Sequence, residues 1–272
     1  MENLFIAFLL TAFAGLSTGI GSILAFFTKK TSTRYLSASL GFSAGVMIYV
    51  SFVEILGKSR ESLTTALGQI RGEWATVGAF FGGIMLIAII DKFVPEFQNP
   101  HEARDAESIE NLKSEKEEEI EDKSYLHRMG IFSALAIAIH NFPEGLATFA
   151  AALSDPTLGI SIAIAIAIHN IPEGISVSVP IYYSTGSKKK AFIYSFMSGL
   201  SEPLGAILGY FLFRSFFNDT VFGILFGLVA GIMVFISIDE LLPAARKYGH
   251  EHREIYAFIG GMGVMALSLL IF

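Results

Sequence analysis

The chain has 272 residues, of which the set AVILMFWYC makes up 53% and DEKR only 16%, with a mean hydropathy of +0.57. That composition excludes an ordinary soluble domain and marks an integral membrane protein. Residues 96–124 hold 11 acids and 4 bases, a local balance of −7, so the rest of the chain sums to +1 against a total of −6, and no basic face for nucleic acid exists.

Cysteine is absent, which excludes disulfides, thiolate metal sites and cysteine nucleophiles. Met1-Glu2-Asn3 is not a basic leader, and the first apolar run is too long for a secretory signal. A bilayer-spanning helix needs about 20 mainly apolar residues. Eight stretches qualify in chain order: 3–27, 36–56, 73–93, 127–153, 158–184, 191–213, 219–243 and 255–272. The predicted organisation is therefore three membrane helices in 1–93, an acidic cytoplasmic loop in 94–126, two helices in 127–184 and three more in 185–272. Glycines four apart, Gly15/Gly19, Gly41/Gly45, Gly78/Gly82, Gly205/Gly209 and Gly223/Gly227/Gly231, predict close helix packing in lipid.

Lys and Arg number 15 in the odd-numbered loops and 4 in the even-numbered ones. The positive-inside rule then puts the odd loops in the cytoplasm and both termini outside, in a multi-pass protein of the cell (inner) membrane. The third loop, 94–126, with its run Glu115–Glu121, reads as a solvated charged helix or as disorder.

The informative feature lies in spans four and five. Residues 134–147 read ALAIAIHNFPEGLA and residues 163–176 read AIAIAIHNIPEGIS, with ten of 14 positions identical at an offset of 29. Each copy holds His-Asn-x-Pro-Glu-Gly: His140, Asn141, Pro143, Glu144 and Gly145, then His169, Asn170, Pro172, Glu173 and Gly174. A short turn at Ser154-Asp155-Pro156 makes the two spans antiparallel neighbours. At about 1.5 Å per residue both histidines sit roughly 18–20 Å from that turn, near mid-membrane, so the copies should face each other at one level.

Within each copy, His and Glu are i and i+4 and Asn and Glu are i and i+3, so imidazole, amide and carboxylate share a helix face. Pro143 and Pro172 free a carbonyl one turn back and should kink the helices, and the following glycines permit close backbone approach. Span six adds Glu202 at similar depth, followed by Pro203. Three carboxylates in the bilayer core cost at least ~2.5 kcal/mol each when unpaired. A divalent cation is the economical counter-ion. Glu54 near the outer end of span two and Asp239 and Glu240 near the inner end of span seven mark an entrance and an exit for it.

HNFPEG on span four and HNIPEG on span five, with Ser201-Glu202-Pro203 on span six, resemble the signature of the ZIP family of metal transporters, and more closely its bacterial zinc-uptake branch. The likeness covers the whole chain. It implies an all-α membrane fold of eight helices, a 3+2+3 bundle with an inverted repeat of the outer triplets, as a homodimer. It also implies a binuclear metal centre. One ion would be held by His140, Glu144, His169 and Glu173 with Met47 as an auxiliary ligand, the other by Asn141, Glu144, Asn170, Glu173 and Glu202. Glu144 and Glu173 would bridge the two. The family's His-rich third loop is not matched, since only His101 and His127 lie near it.

Imidazole with carboxylate suits Zn²⁺ and Fe²⁺, and extra oxygen donors widen the range to Mn²⁺, Co²⁺ or Cd²⁺. The metal is then substrate, not cofactor, and the expected activity is carrier-mediated uptake into the cytoplasm, not an enzymatic reaction. No Walker motif is present, so nucleotide is not expected as a partner. An intramembrane metalloenzyme is the first alternative, but HExxH does not occur. A passive divalent-cation channel is the second.

Overall fold

The structure is a computed structural model that describes residues 2–25, 33–93, 115–154, 156–213, 218–249 and 252–271. Every element in it is helical. In chain order these are α1 (Glu2–Ala25), α2 (Thr33–Val50), α3 (Leu56–Leu67), α4 (Gln69–Phe93), α5 (Glu115–Ser154), α6 (Pro156–Thr185), α7 (Lys188–Gly199), α8 (Ser201–Leu208), α9 (Asp219–Phe235), α10 (Leu242–Lys247) and α11 (Arg253–Ile271). Among the described residues, π-helical segments at Ser51–Ile55, Gly209–Phe213 and Ile236–Leu241 interrupt spans two, six and seven. Such widened turns cluster at functional positions.

Seven stretches among the described residues are long and apolar enough to cross a bilayer: Asn3–Ile23, Arg34–Leu67, Gln69–Lys92, Ile162–Thr185, Lys188–Phe211, Asp219–Lys247 and Arg253–Ile271. They fall on seven of the eight expected spans. The expected fourth, 127–153, lies on α5, where His127, Arg128 and the polar HNFPEG motif dilute the apolar run. Span two runs well past its expected end at 56, to Leu67, where Gly68 at φ 83° reverses the chain into α4. Residues 115–126, expected as part of the acidic loop, form the first turns of the 40-residue α5. Residues 94–114, with His101, and the turn residue Asp155 lie outside the described residues.

α1 is built inside out relative to a helix of a soluble bundle. On α1 the buried side chains are Ala7, Thr11, Ala14, Ser17, Thr18 and Ser22, while Phe5, Leu9, Phe13, Leu16 and Ile20 point outward. Lipid solvates the large apolar groups, so the small ones are free to bring backbones together. Buried hydroxyls bond back to their own helix, as Thr11 Oγ1 donates to Ala7 O at 2.9 Å and Ser51 Oγ to Met47 O at 2.6 Å.

Glycine makes the crossings that hold the centre. A methyl at Gly145 of α5 would overlap the Glu202 carbonyl of α8, and one at Gly205 would overlap the Phe142 carbonyl. Gly174 and Gly21 stand in the same relation across α6 and α1, against Thr18 and Ile171. One expected pair is corrected. Gly78 faces open space and Gly82 makes only ordinary contact, while neighbouring Gly83 lies on the Leu228 backbone. At 3.6 residues per turn, positions 78 and 83 lie about 140° apart around α4, so when 83 meets α9, 78 faces away.

Candidate metal centre

α5 and α6 remain helical through Pro143 and Pro172 and lie against each other along their length. The helix of span six is interrupted at Leu200, between α7 and α8 and just ahead of Glu202-Pro203. All seven motif side chains are buried, Glu144 being the most exposed at 7%.

The two copies meet at one level and engage crosswise. His140 Nε2 lies 3.1 Å from Glu173 Oε1, and His169 Nε2 lies 3.1 Å from Glu144 Oε1. The second contact is out of line for a hydrogen bond, so His169 Nε2 has no hydrogen-bond partner. Each imidazole therefore faces the carboxylate of the other helix, not the one a turn away on its own. Shared helix face predicted the meeting place, and the antiparallel crossing set the pairing.

The amides are anchored by the flanking spans. Asn170 Nδ2 donates to Ala14 O at 2.9 Å and to Glu202 Oε1. Asn141 Nδ2 reaches Ser198 O at a long 3.5 Å. With the NH₂ groups turned to α1 and α7, both amide oxygens are left as acceptors with no donor. Ser43 Oγ of α2 donates to Pro172 O at 2.7 Å, and Thr148 Oγ1 to Glu144 O at 2.9 Å.

Sixteen buried side-chain N or O atoms lack a hydrogen-bond partner among the described residues, and eight belong to these seven residues. They are His140 Nδ1, Asn141 Oδ1, Glu144 Oε2, both ring nitrogens of His169, Asn170 Oδ1, Glu173 Oε2 and Glu202 Oε2. Native interiors rarely leave polar atoms unsatisfied, and here they concentrate in one place. No Lys or Arg among the described residues is buried. As the side chains stand, no three of the described His, Asp or Glu groups close around a single point.

A cavity of about 260 Å³ reaches this cluster from the end of the bundle where α9 begins. It is lined by Glu54, Lys58, Ser62, Glu144, Thr148 and Asp219 among others. Glu54 thus lines the same cavity as Glu144, although span two continues well beyond it to Leu67. Met47 is wholly buried one turn past Ser43 on the same face of α2, within the main apolar cluster. At the opposite end Glu240 is 3% exposed, in electrostatic reach of Asp239, Asp91 and Arg128. Arg128 Nη2 is 2.9 Å from Asp91 Oδ1.

Several of these residues escape the sequence reading. Lys58, Arg128 and Ser43 carry no motif. Met233 does: Met47, Ser51 and Glu54 recur with identical spacing as Met233, Ser237 and Glu240. In both places the serine hydroxyl donates to the methionine carbonyl, at 2.6 and 2.7 Å.

A model of the family described as ZIP Zinc transporter matches residues 3–269. The chain belongs to the ZIP family. It is 63% identical over 279 residues to a protein of Clostridium perfringens named Zinc transporter ZupT, covering 100% of this chain and 98% of that one. Proteins of the same name from Streptococcus mutans and Oceanobacillus iheyensis are 60% and 59% identical over 271 residues, covering 100% of this chain and 99% of each relative. This ZIP protein is accordingly a multi-pass membrane transporter and not an enzyme, as the doubled motif implied.

Proposed function

We propose that this ZIP protein carries Zn²⁺ into the cytoplasm through a binuclear site on α5, α6 and α8, and that it accepts Fe²⁺, Mn²⁺, Co²⁺ and Cd²⁺ more weakly. The observation that carries the reading is the concentration of buried, unpartnered donor atoms on seven residues that include three carboxylates. They are withdrawn from bulk water and no Lys or Arg among the described residues is buried with them, so a divalent cation is the group that offsets their charge.

One ion takes His140, Glu144, His169 and Glu173, with Met47 as a weak further donor. The other takes Asn141, Asn170 and Glu202, sharing Glu144 and Glu173. The crossed imidazole–carboxylate contacts already bring each helix's donors to the other, so loading exchanges two such contacts for metal bonds through side-chain rotation. Imidazole binds metal only when neutral, and the metal arrives by displacing protons. The cargo enters past Glu54 and leaves past Asp239 and Glu240. Both termini face outward, and two copies form a homodimer.

The 3+2+3 arrangement with an inverted repeat of the outer triplets is part of this reading. Its support is a set of paired contacts at constant offsets. Asn141 reaches Ser198 where Asn170 reaches Ala14, and Gly145 packs on Glu202 where Gly174 packs on Thr18. Span six thus corresponds to span one at 198 − 14 = 202 − 18 = 184. Gly231 packs on Phe80 as Gly45 packs on Phe258, relating spans seven and two by 231 − 45 = 186. Glu240 and Glu54 differ by the same 186.

The test is zinc uptake into proteoliposomes by the parental protein and by the His140→Ala and Glu144→Ala variants at equal reconstituted protein. Uptake by the parent and its loss in both variants is expected. Parental rates in either variant would overturn the site.

A further inference from the structure

Lys58 and Glu54 are one helical turn apart across the end of the π-helical segment of span two. Lys58 Nζ donates to Glu54 Oε1 at 2.7 Å, while Glu54 Oε2 is buried without a hydrogen-bond partner. Both residues line the 260 Å³ cavity, whose wall also includes Glu144 and Asp219. Lys58 is the one basic residue lining that cavity among the described residues, set against three carboxylates. The Lys58 side chain is 36% exposed, against 14% for Glu54, so the ammonium has open space to swing into. Lysine suits that role, being a compact point charge on a flexible stem with no fixed fork of donors.

We infer that Lys58 is a resident, displaceable cation of the entrance cavity, which an incoming divalent ion must drive off Glu54 before it reaches the buried site. This rests on the route proposed above and adds to it a residue that sets apparent affinity and ion selectivity. A half-held carboxylate offers one free oxygen to an arriving ion and releases the other only to a stronger competitor. A doubly charged ion gains twice the Coulomb energy of a singly charged one at equal distance, so it displaces the ammonium where Na⁺ or K⁺ does not. The tethered ammonium also lowers the net negative charge of the cavity mouth, which weakens attraction of all cations from bulk.

The experiment measures initial zinc uptake against zinc concentration in proteoliposomes. It compares the parent with Lys58→Gln, Lys58→Met, Lys58→Arg, Glu54→Gln and the Glu54→Gln/Lys58→Gln double variant. Lys58→Gln and Lys58→Met should lower the apparent KM about fivefold, equivalent to about 1 kcal/mol. They should also make uptake more sensitive to added Na⁺ or K⁺. Lys58→Arg should keep the parental KM, and the Lys58→Gln effect should vanish in the Glu54→Gln background. A parental or raised KM in both neutral variants, or an equal shift without Glu54, overturns the inference. Glu144→Gln in the same assay separates this from the route itself. If it is inactive while Lys58→Gln keeps the parental KM, only the role of Lys58 fails. If Glu144→Gln transports at the parental rate, the route fails.

Discussion

Replacing Gly145 by alanine should disable transport more than it destabilises the protein. The α-carbon of Gly145 faces the backbone of Glu202, and a methyl there would sit on the Glu202 carbonyl oxygen and its neighbouring backbone atoms. Nothing at that contact is a flexible side-chain end, so the two helices themselves must move. Restoring ordinary carbon–oxygen contact requires α5 and α8 to part by roughly 1 Å or more. Overpacking of that kind costs about 1–3 kcal/mol. The functional loss is larger, because the same movement carries Glu202 away from Asn170 and from Glu144, and a displacement near 1 Å at a liganding group costs on the order of 100-fold where geometry decides the outcome. Zinc uptake and thermal unfolding in detergent, measured on the same preparations, separate the two effects. Gly78→Ala is the control, since a methyl there meets nothing within 4 Å and should leave both properties close to parental. Gly145→Ala protein that unfolds at the parental temperature and transports at the parental rate would refute the claim that this crossing sets the site.

Other outcomes follow from the same geometry. Uptake should fall as external pH is lowered, because protons compete with metal for His140 and His169, and a rate that rises steadily into acid would contradict the ligand set. Ser43→Ala removes the hydroxyl that holds Pro172 O at 2.7 Å, and should cost about 1 kcal/mol in thermal stability, read as a lowered unfolding temperature. Met47→Leu keeps the volume of a buried side chain, so it should cost under about 1.5 kcal/mol in stability while lowering uptake of soft Cd²⁺ relative to Zn²⁺ in competition assays.

Much of the site is legible in the sequence because membrane burial makes polar residues conspicuous. His140, Asn141 and Glu144 interrupt an apolar run, and their copy 29 residues later does the same. Depth followed from counting back to a turn, and the helix rise is constant enough for that count to place both copies at one level. What stayed hidden depended on three dimensions. The crosswise pairing of His140 with Glu173 follows from how antiparallel helices present their faces, which spacing within one helix does not encode. The close approach of Gly83 rather than Gly78 depends on which face of α4 meets α9. The partners of Asn141 and Asn170 are backbone carbonyls of α1 and α7, and any residue supplies a carbonyl, so Ala14 and Ser198 leave no trace in composition. The π-helical turns are equally silent, since no residue type demands them.

One recurrence connects these strands. Met-x₃-Ser-x₂-Glu at 47, 51 and 54 and again at 233, 237 and 240 runs from an α-helix into a π-helical segment in both places, at opposite ends of the bundle. Chemically the two sets are the same, yet their surroundings differ. Glu54 lines an open cavity with Lys58 beside it, whereas Glu240 is 3% exposed, with a guanidinium on Asp91 nearby. Two equivalent parts in two different environments fit the inverted repeat proposed above. In that proposed arrangement, whichever half is open would have its twin closed, and exchanging their environments would move access from one side of the membrane to the other without a new set of contacts. On that reading the energy difference between the two orientations stays small, because each state makes the contacts of the other with the halves interchanged. A bound ion of a few kcal/mol differential affinity is then enough to bias which way the site faces.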